Sequence, residues 1–319
     1  MTLRYRIEPE RRRPRLKAVL AAGGWARLME AHSGLSGMVA NTAQLALADG
    51  TSKEFDGLWL SSFTTSALKG LPDAEIVSLE ARLDLLDEIL FVTDKPVVVD
   101  ADTGLEAMHF EYTCAKLEAR GVSAVIIEDK RYPKRNSLAP TADQTLEAPG
   151  AFAAKIRRGK SALRSADFMI IARLESLVAN QGQADALARA EAYLQAGADG
   201  IMIHSRQKQP EEVFAFAEAY ARLCQQRGSW KPLICAPTTY NTVTEAALRA
   251  HGFNVVIYAN HLLRAAYAAM SQTCTAILAH DRSLEAEAGC APVQTLFDVV
   301  GFSEVLRKDR QDEKETSAP

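Results

Sequence analysis

Short apolar runs alternate with longer amphipathic stretches along almost the whole chain. Several runs, such as Val97–Val99 and Val125–Ile127, consist entirely of β-branched residues, which is typical of strands buried on both faces in a parallel sheet. The pattern predicts eight strands, at Arg27–His32, Gly57–Ser62, Pro96–Asp102, Ala124–Lys130, Phe168–Glu175, Gly200–Ser205, Pro232–Thr238 and Val255–Asn260.

Helical periodicity is clearest at Ala74–Phe91 and Ala184–Ala196, where apolar residues return at steps of three and four. Gly121, Gly197 and Gly252 each follow an amphipathic stretch, at the position where a helix C-cap favours glycine. Eight strands with interleaved helices predict a closed (β/α)₈ TIM barrel. An open doubly wound sheet is the alternative, but no GxGxxG follows the first strand.

Composition agrees with one large globular domain. The chain has 319 residues, of which 48% are hydrophobic and 24% are charged. We expect a basic N-terminal arm at 1–17, a catalytic barrel at 18–302 and a frayed, charged tail at 303–319.

The partners and the compartment follow from charge and cysteine content. The net charge of −3 and the lack of a long apolar run argue against nucleic acid and membranes as partners. Arginines crowd the first 17 residues; we expect a solvated arm there, with targeting or nucleic-acid binding as the alternative. The five scattered cysteines indicate reduced, mostly structural residues of a cytoplasmic protein.

Carboxylates gather where two neighbouring strands are predicted to end. Asp100 and Asp102 follow Val97–Val99, and residues two apart on a strand share a face. Glu128 ends the next strand, so all three would lie at the barrel mouth, where this fold carries its active site. Three oxygen ligands without His or Cys favour Mg²⁺, with Mn²⁺ as a substitute. The alternative is a loop cap beside a surface glutamate.

Groups that bind anions follow other strands. Arg173 would point into the same mouth as a planar clamp for carboxylate or phosphoryl oxygens, or form a salt bridge with Glu175. His204 ends the sixth strand and is either a structural or a functional histidine. Trp59, Ser61 and Ser62 end the second strand, where hydroxyl and N–H groups can hold an anion.

The local sequence leaves the roles of several further residues undecided. Asp73 alone predicts a helix N-cap, with Glu75 close behind. The pairs Pro237-Thr238 and Asn260-His261 line or support the site. The loop from Arg131 to Pro149 is long for a barrel connection, and long loops at that face are often lids.

Together these segments resemble the phosphoenolpyruvate mutase / isocitrate lyase superfamily, and the phosphoenolpyruvate mutases in particular. The likeness covers about residues 28–269 and is most specific at Asp100-Ala101-Asp102-Thr103-Gly104, Glu128-Asp129-Lys130 and Lys134-Arg135-Asn136-Ser137-Leu138. It implies a TIM barrel with a helix-swapped C-terminal helix, assembled as a homodimer or homotetramer.

The resemblance also implies a role for each matched position. Asp100, Asp102 and Glu128 would hold Mg²⁺, directly or through water, and the metal would bind the small-molecule substrate's carboxylate and its enolate or keto oxygen. Asp73 matches a loop aspartate that takes up or positions the phosphoryl group. Substrate contacts would come from Trp59, Ser61, Ser62 and Asp100, from Lys134, Asn136 and Ser137 of a gating loop, and from Arg173 and His204. Leu60 and Ser62 stand where the family usually has glycine.

The implied reaction interconverts phosphoenolpyruvate and phosphonopyruvate, as in phosphonate biosynthesis. A phosphonopyruvate hydrolase is the nearest alternative, and its gating loop lacks the asparagine found here at Asn136. A C–C lyase of a malate-like acid would need a lid cysteine, whereas residues 133–137 have none. A barrel without catalytic activity would have lost metal carboxylates that this chain retains.

Overall fold

A closed barrel of eight parallel strands forms the centre of the computed structural model, which describes residues 5–139 and 143–316. Each strand pairs with its neighbour in the sequence of barrel strands, and the last pairs with the first. The barrel strands are Ala26–Glu30 (β1), Gly57–Leu60 (β4), Val97–Asp100 (β5), Ala124–Glu128 (β6), Met169–Leu174 (β7), Gly200–Ile203 (β8), Leu233–Cys235 (β9) and Val255–Tyr258 (β10); an antiparallel pair, Gln44–Ala46 (β2) and Ser52–Glu54 (β3), lies outside it.

Helices connect the strands and extend beyond the last of them. They are Pro9–Arg12 (α1), Arg15–Gly23 (α2), Gly34–Thr42 (α3), Ser62–Leu68 (α4), Leu79–Phe91 (α5), Ala107–Ala119 (α6), Pro149–Ser161 (α7), Gly182–Gln195 (α8), Glu211–Gln226 (α9), Glu245–Ala250 (α10), His261–His280 (α11), Val293–Val300 (α12) and Phe302–Thr316 (α13), with a 3₁₀ turn at Leu284–Gly289. Among the described residues, none of the helices combines the length and hydropathy needed to span a bilayer.

The barrel prediction and all eight predicted strands are confirmed, although most predicted ends run past the observed ones. Asp102 lies beyond β5 with φ of 55°, so a turn and not strand alternation orients its side chain. The predicted C-cap glycines adopt φ of 78°, 102° and 87° at Gly121, Gly197 and Gly252, the left-handed conformation that favours glycine.

The predicted N-cap at Asp73 is wrong. Residues 74–78 are not helical, and α5 begins at Leu79, where the Ser78 hydroxyl accepts a hydrogen bond from the Ala81 amide. Ser78 supplies the cap because its backbone is extended, as an N-cap requires. Asp73 therefore lies in a loop before the helix.

The N-terminal segment is not the solvated arm that its composition suggested. Leu16 and Leu20 of α2 pack with the residues that fill the barrel interior, among them Ala26 and Leu28 of β1. The buried Arg12 donates hydrogen bonds to the carbonyl oxygens of Leu90 (2.7 Å) and Thr93 (2.8 Å). This segment closes the amino-terminal end of the barrel, opposite the strand ends that carry the predicted site. The predicted frayed tail is likewise helical, as α13, through Thr316.

The division of the chain at residues 18 and 303 remains a prediction. Residues 1–4, 140–142 and 317–319 of the predicted arm, loop and tail lie outside the described residues.

Candidate active site

The side chains that fill the barrel interior lead directly to the polar cluster at its mouth. Val98, Ile126, Ile171 and Met202 belong to one interior core. Two residues further along each strand the same inward row continues. It reaches Asp100, Glu128, Arg173 and His204, respectively.

Asp100, Arg173 and His204 border a cavity of about 300 Å³ under the long loop, whereas the buried Asp102 and Glu128 do not line it. Its volume suits a small organic acid. The predicted residues that line it are Trp59, Ser61, Ser62, Asp73, Asp100, Lys134, Asn136, Ser137, Arg173 and His204; of the pairs left open by the sequence, Thr238 and Asn260 line it as well.

The two aspartates at the end of β5, Asp100 within the strand and Asp102 just after it, are fixed by buried partners. Ser62 Oγ donates to Asp100 Oδ2 at 2.7 Å, and Arg82 Nη2 donates to Asp102 Oδ2 at 2.5 Å. Arg82 also donates to the main-chain carbonyl of Asp100. A buried arginine on α5 therefore holds both aspartates from the side remote from the cavity.

Lys134 reaches into the carboxylates from the long loop. Its Nζ lies 2.7 Å from Asp102 Oδ1, 3.2 Å from Asp73 Oδ1 and 2.9 Å from Ser62 Oγ. Burial by itself lowers the pKa of Lys134, but Asp102 and Glu128 outweigh it and hold that pKa well above its usual value. The lysine is thus a permanent cation within the site.

The carboxylate set fits a hard cation that keeps part of its water shell. One oxygen each of Asp73, Asp102 and Glu128 is buried; among the described residues, those of Asp73 and Asp102 face only the Lys134 ammonium group, and Glu128 Oε1 lies 3.7 Å from Lys130 Nζ. Within residues 5–139 and 143–316, no three Asp, Glu, His or Cys side chains converge closely enough to enclose an ion by themselves. Mg²⁺ commonly retains several waters beside one or two carboxylates, so this arrangement suits it. Burial raises the pKa of Glu128 to about 7, although the positive charges of Lys130, Lys134 and Arg173 oppose this shift.

Across the cavity, Arg173 is held by carboxylates and a histidine. Its Nε donates to Glu175 Oε1 at 2.6 Å, and its Nη2 lies 2.7 Å from His204 Nδ1 and 3.3 Å from Glu128 Oε2. Burial would lower the pKa of Arg173, but Glu175 and Glu128 outweigh it and raise that pKa. Burial and Arg173 both lower the pKa of His204. Arg173 therefore combines the two predicted arrangements: it forms the salt bridge with Glu175 and also faces the cavity.

Residues 131–139 cover the cavity, and we call this segment the lid. Asn136 Nδ2 donates to Asp73 Oδ2 at 2.7 Å, and Arg173 Nη2 donates to Ser137 Oγ at 2.9 Å. Glu75 accepts from the amide of Lys134 at 2.9 Å. The lid is therefore bonded to the Asp73 loop on one side and to the strand ends on the other.

The two serines after β4 use their hydroxyl groups within the protein. Ser61 Oγ accepts from the amide of Thr64 and caps α4, while Ser62 Oγ bonds Asp100 and Lys134. Trp59 is buried, and its indole borders the cavity floor.

Four charged residues of this region were not predicted as site residues: Glu75, Arg82, Lys130 and Glu175. Arg82 did leave a signal, because it falls on the apolar stripe of its helix between Leu79 and Leu86. Lys130 and Glu175 share a strand face with Glu128 and Arg173, which also indicated an inward position. The sequence offered no comparable signal for Glu75.

Comparison with curated proteins gives two kinds of relative. The chain is 35% identical to a phosphoenolpyruvate phosphomutase of Tetrahymena pyriformis, over 94% of this chain and 95% of the relative. It is 36% identical to a phosphonopyruvate hydrolase of Variovorax sp. (strain Pal2), over 90% of this chain and 93% of the relative.

Solved structures of the same two kinds of enzyme also match this chain. A phosphoenolpyruvate phosphomutase from Streptomyces platensis subsp. rosaceus matches with a TM-score of 0.85 and 37% identity, covering 94% of this chain and 99% of that one. A phosphonopyruvate hydrolase in complex with oxalate and Mg²⁺ matches with a TM-score of 0.81 and 32% identity, covering 94% and 98%. The phosphoenolpyruvate phosphomutase family model matches residues 16–278. This chain therefore belongs to the phosphoenolpyruvate phosphomutase family.

Proposed function

We propose that the protein catalyses the Mg²⁺-dependent interconversion of phosphoenolpyruvate and phosphonopyruvate. The observation that carries the proposal is a small covered cavity with acidic side chains on one wall and Arg173 with His204 on the other, over which Asn136 of the lid bonds Asp73. A three-carbon acid with a phosphoryl group matches this division of charge.

The metal would be held by Asp100, Asp102 and Glu128, in part through water. When bound, Mg²⁺ would supply a positive charge that stabilises the negative charge developing on the substrate. The Mg²⁺ and oxalate in the hydrolase relative support this choice, with Mn²⁺ as a substitute. Arg82 and Ser62 fix the orientation of the aspartates, as outer partners of metal ligands commonly do.

The phosphoryl group would lie against Arg173 and His204. Arg173 stays charged and can donate to two oxygens at once. His204 Nδ1 lies between Arg173 Nη2, a donor at 2.7 Å, and Glu175 Oε1, an acceptor at 3.0 Å, so both groups fix the orientation of the ring. A loose phosphoryl-transfer transition state needs such positioning and charge stabilisation more than covalent chemistry.

The lid supplies the remaining contacts. Lys134, Asn136 and Ser137 would close over the substrate and exclude water, which would otherwise capture the migrating phosphoryl group. Lys134 and Asn136 also hold Asp73 in one orientation at the cavity wall, 3.2 and 2.7 Å from its oxygens. This orientation suits a group that guides or accepts the phosphoryl group.

Hydrolysis of phosphonopyruvate to pyruvate and phosphate is the second candidate, favoured by the 36% identity to the Variovorax enzyme. The asparagine at position 136 favours the mutase, because its bond to Asp73 helps to seal the lid. A lyase is disfavoured, since the lid sequence has no cysteine to serve as an acid.

The test is ³¹P NMR of phosphonopyruvate incubated with the protein and Mg²⁺, with and without a chelator. Metal-dependent appearance of phosphoenolpyruvate is the expected result. Early release of inorganic phosphate with pyruvate, and no phosphoenolpyruvate, would establish the hydrolase instead. An unchanged spectrum would contradict both and direct the assay to malate-like acids.

The assembly we propose is a homodimer or homotetramer in the cytoplasm, in which the C-terminal helix swaps onto a second copy. The support is an apolar stripe on α12 that is exposed to solvent in the single chain and includes Val293, Leu296 and Phe297. Exposed stripes of this kind are typical of protein–protein contacts.

A further inference from the structure

Lys130, at the barrel mouth, directs its ammonium group at the lid. The residue follows β6 and is 1% exposed. Its Nζ donates to the carbonyl oxygen of Arg135 at 2.9 Å and to Ser137 Oγ at 2.5 Å. An ammonium group has three donors, so the lid takes up two of them.

Glu175 completes this contact from the neighbouring strand. Its carboxylate is fully buried, lies 3.1 Å from Lys130 Nζ and accepts the Ser137 hydroxyl at 2.7 Å. Ser137 Oγ also accepts from Arg173 at 2.9 Å. One donated and two accepted hydrogen bonds use the full capacity of a hydroxyl group. The Ser137 hydroxyl is therefore fully hydrogen-bonded within the protein.

Opening the lid would separate the lid residues of this cluster from its barrel residues. Arg135 and Ser137 would leave with the lid, while Lys130 and Glu175 belong to the barrel and would stay. Lys130 would then lose two hydrogen bonds to the lid and keep only its salt bridge to Glu175, so opening costs two bonds made by a charged group. The pair therefore favours the closed lid before any substrate makes a contact.

We propose that Lys130, anchored by Glu175, is a latch that sets the closed population of the lid. Both are positioning residues that act through Ser137 and Arg135. The consequence for product partition rests on the proposed function, whereas the latch itself is a property of the protein without substrate.

The first test is hydrogen–deuterium exchange of the full-length Lys130→Met variant. Methionine keeps the length and the apolar packing of the side chain but removes its donors. We expect amides at 131–139 to exchange at least about tenfold faster, since roughly 1.4 kcal/mol in the opening equilibrium corresponds to a factor of ten. Amides of β1 and β10 should keep the exchange rates of the unmodified protein.

Lys155→Met is the matched control. Lys155 is also a buried lysine near the mouth, but it donates to the carbonyl oxygen of Thr103 at 2.7 Å and not to the lid. Its lid exchange should equal that of the unmodified protein. Equal lid exchange in Lys130→Met and the unmodified protein would overturn the latch, as would an equal increase in both variants.

A second variant, Ser137→Ala, tests the latch even if Lys130→Met is unstable. Ser137→Ala removes the lid side of one contact, and the double variant should exchange more slowly than the two single effects added together, because both changes remove the Lys130–Ser137 bond. Fully additive effects would contradict the latch.

Product partition is the functional readout. With phosphonopyruvate and Mg²⁺, we expect the share released as phosphate to rise at least threefold in Lys130→Met, because a lid that opens more often admits water. An unchanged share would overturn the positioning role. If the unmodified protein does not turn over phosphonopyruvate, the proposed function fails while the exchange experiment still decides the latch.

Discussion

At the scale of single residues, Asp100 is a carboxylate of the predicted metal site that is linked to the lid through Ser62. Ser62 bonds it, and Lys134 bonds Ser62 in turn. We expect Asp100→Ala to lower turnover by more than the roughly 10- to 100-fold that loss of an outer partner of a metal ligand costs. Calorimetric titration with Mg²⁺ should show weakened binding in parallel. Full activity in this variant would remove Asp100 from the metal site.

His204 gives a prediction about pH. Burial and the charge of Arg173 lower its pKa from the usual 6.5, so below that pH the unfolded chain takes up a proton that the folded chain resists. Stability should therefore fall as the pH drops through 6.5, by at most about 1.4 kcal/mol at pH 5.5 from this residue. Urea unfolding at pH 7.5 and 5.5 measures the difference. His204→Gln, which cannot titrate, should lose less stability over this interval; an equal loss would contradict the assignment.

At the scale of elements, the lid and the Asp73 loop act together because their side chains bond each other. Asn136→Ala removes the donor to Asp73 Oδ2, and a hydrogen bond to a charged group is worth about 1.5–3 kcal/mol. We expect turnover to fall roughly tenfold to a hundredfold while the protein stays folded.

Asn136→Asp sharpens this test. It replaces an amide with a second carboxylate of nearly the same shape, so repulsion from Asp73 should lower turnover further than alanine does. Steady-state kinetics and thermal unfolding of both variants give the comparison. An aspartate variant as active as the unmodified protein would show that the contact plays no part in catalysis.

At the scale of the whole molecule, α2 closes the end of the barrel opposite the site. Leu16 is 1% exposed and packs with the interior residues. Leu16→Ala should lower the free energy of unfolding by about 2–5 kcal/mol, because the surrounding strands cannot collapse into the space. The exposed Leu35 is the control, and Leu35→Ala should change it by about 0.5 kcal/mol or less. Equal effects would mean that α2 is not part of the core.

The quaternary prediction concerns α12. If its apolar stripe lies on a second copy, the double variant Leu296→Asp, Phe297→Asp should shift the protein to monomers in light scattering coupled to size exclusion. Gln294→Asp, on the polar side of the same helix, should leave the assembly intact. A monomeric unmodified protein would contradict the predicted assembly.

The sequence by itself determined the barrel and most of the residues at its mouth. Short apolar runs, several of them wholly β-branched, predicted eight strands, and glycines at three predicted C-caps marked helix ends between them. Parallel strands bring their carboxyl ends to one face, so the inward row leading to Asp100, Glu128, Arg173 and His204 could be traced from the sequence alone. Each of these inferences depends on local periodicity and chain direction alone.

Only the tertiary structure decided which groups hold those residues in place. Arg82 meets Asp102 across 20 positions, and Lys130 meets Glu175 from a neighbouring strand, by packing that periodicity does not encode. The sequence also did not predict the turn that orients Asp102 or the burial of Arg12 in the segment that closes the amino-terminal end of the barrel. A charged side chain is expected at the surface unless a distant partner compensates its burial, and only the folded chain supplies that partner.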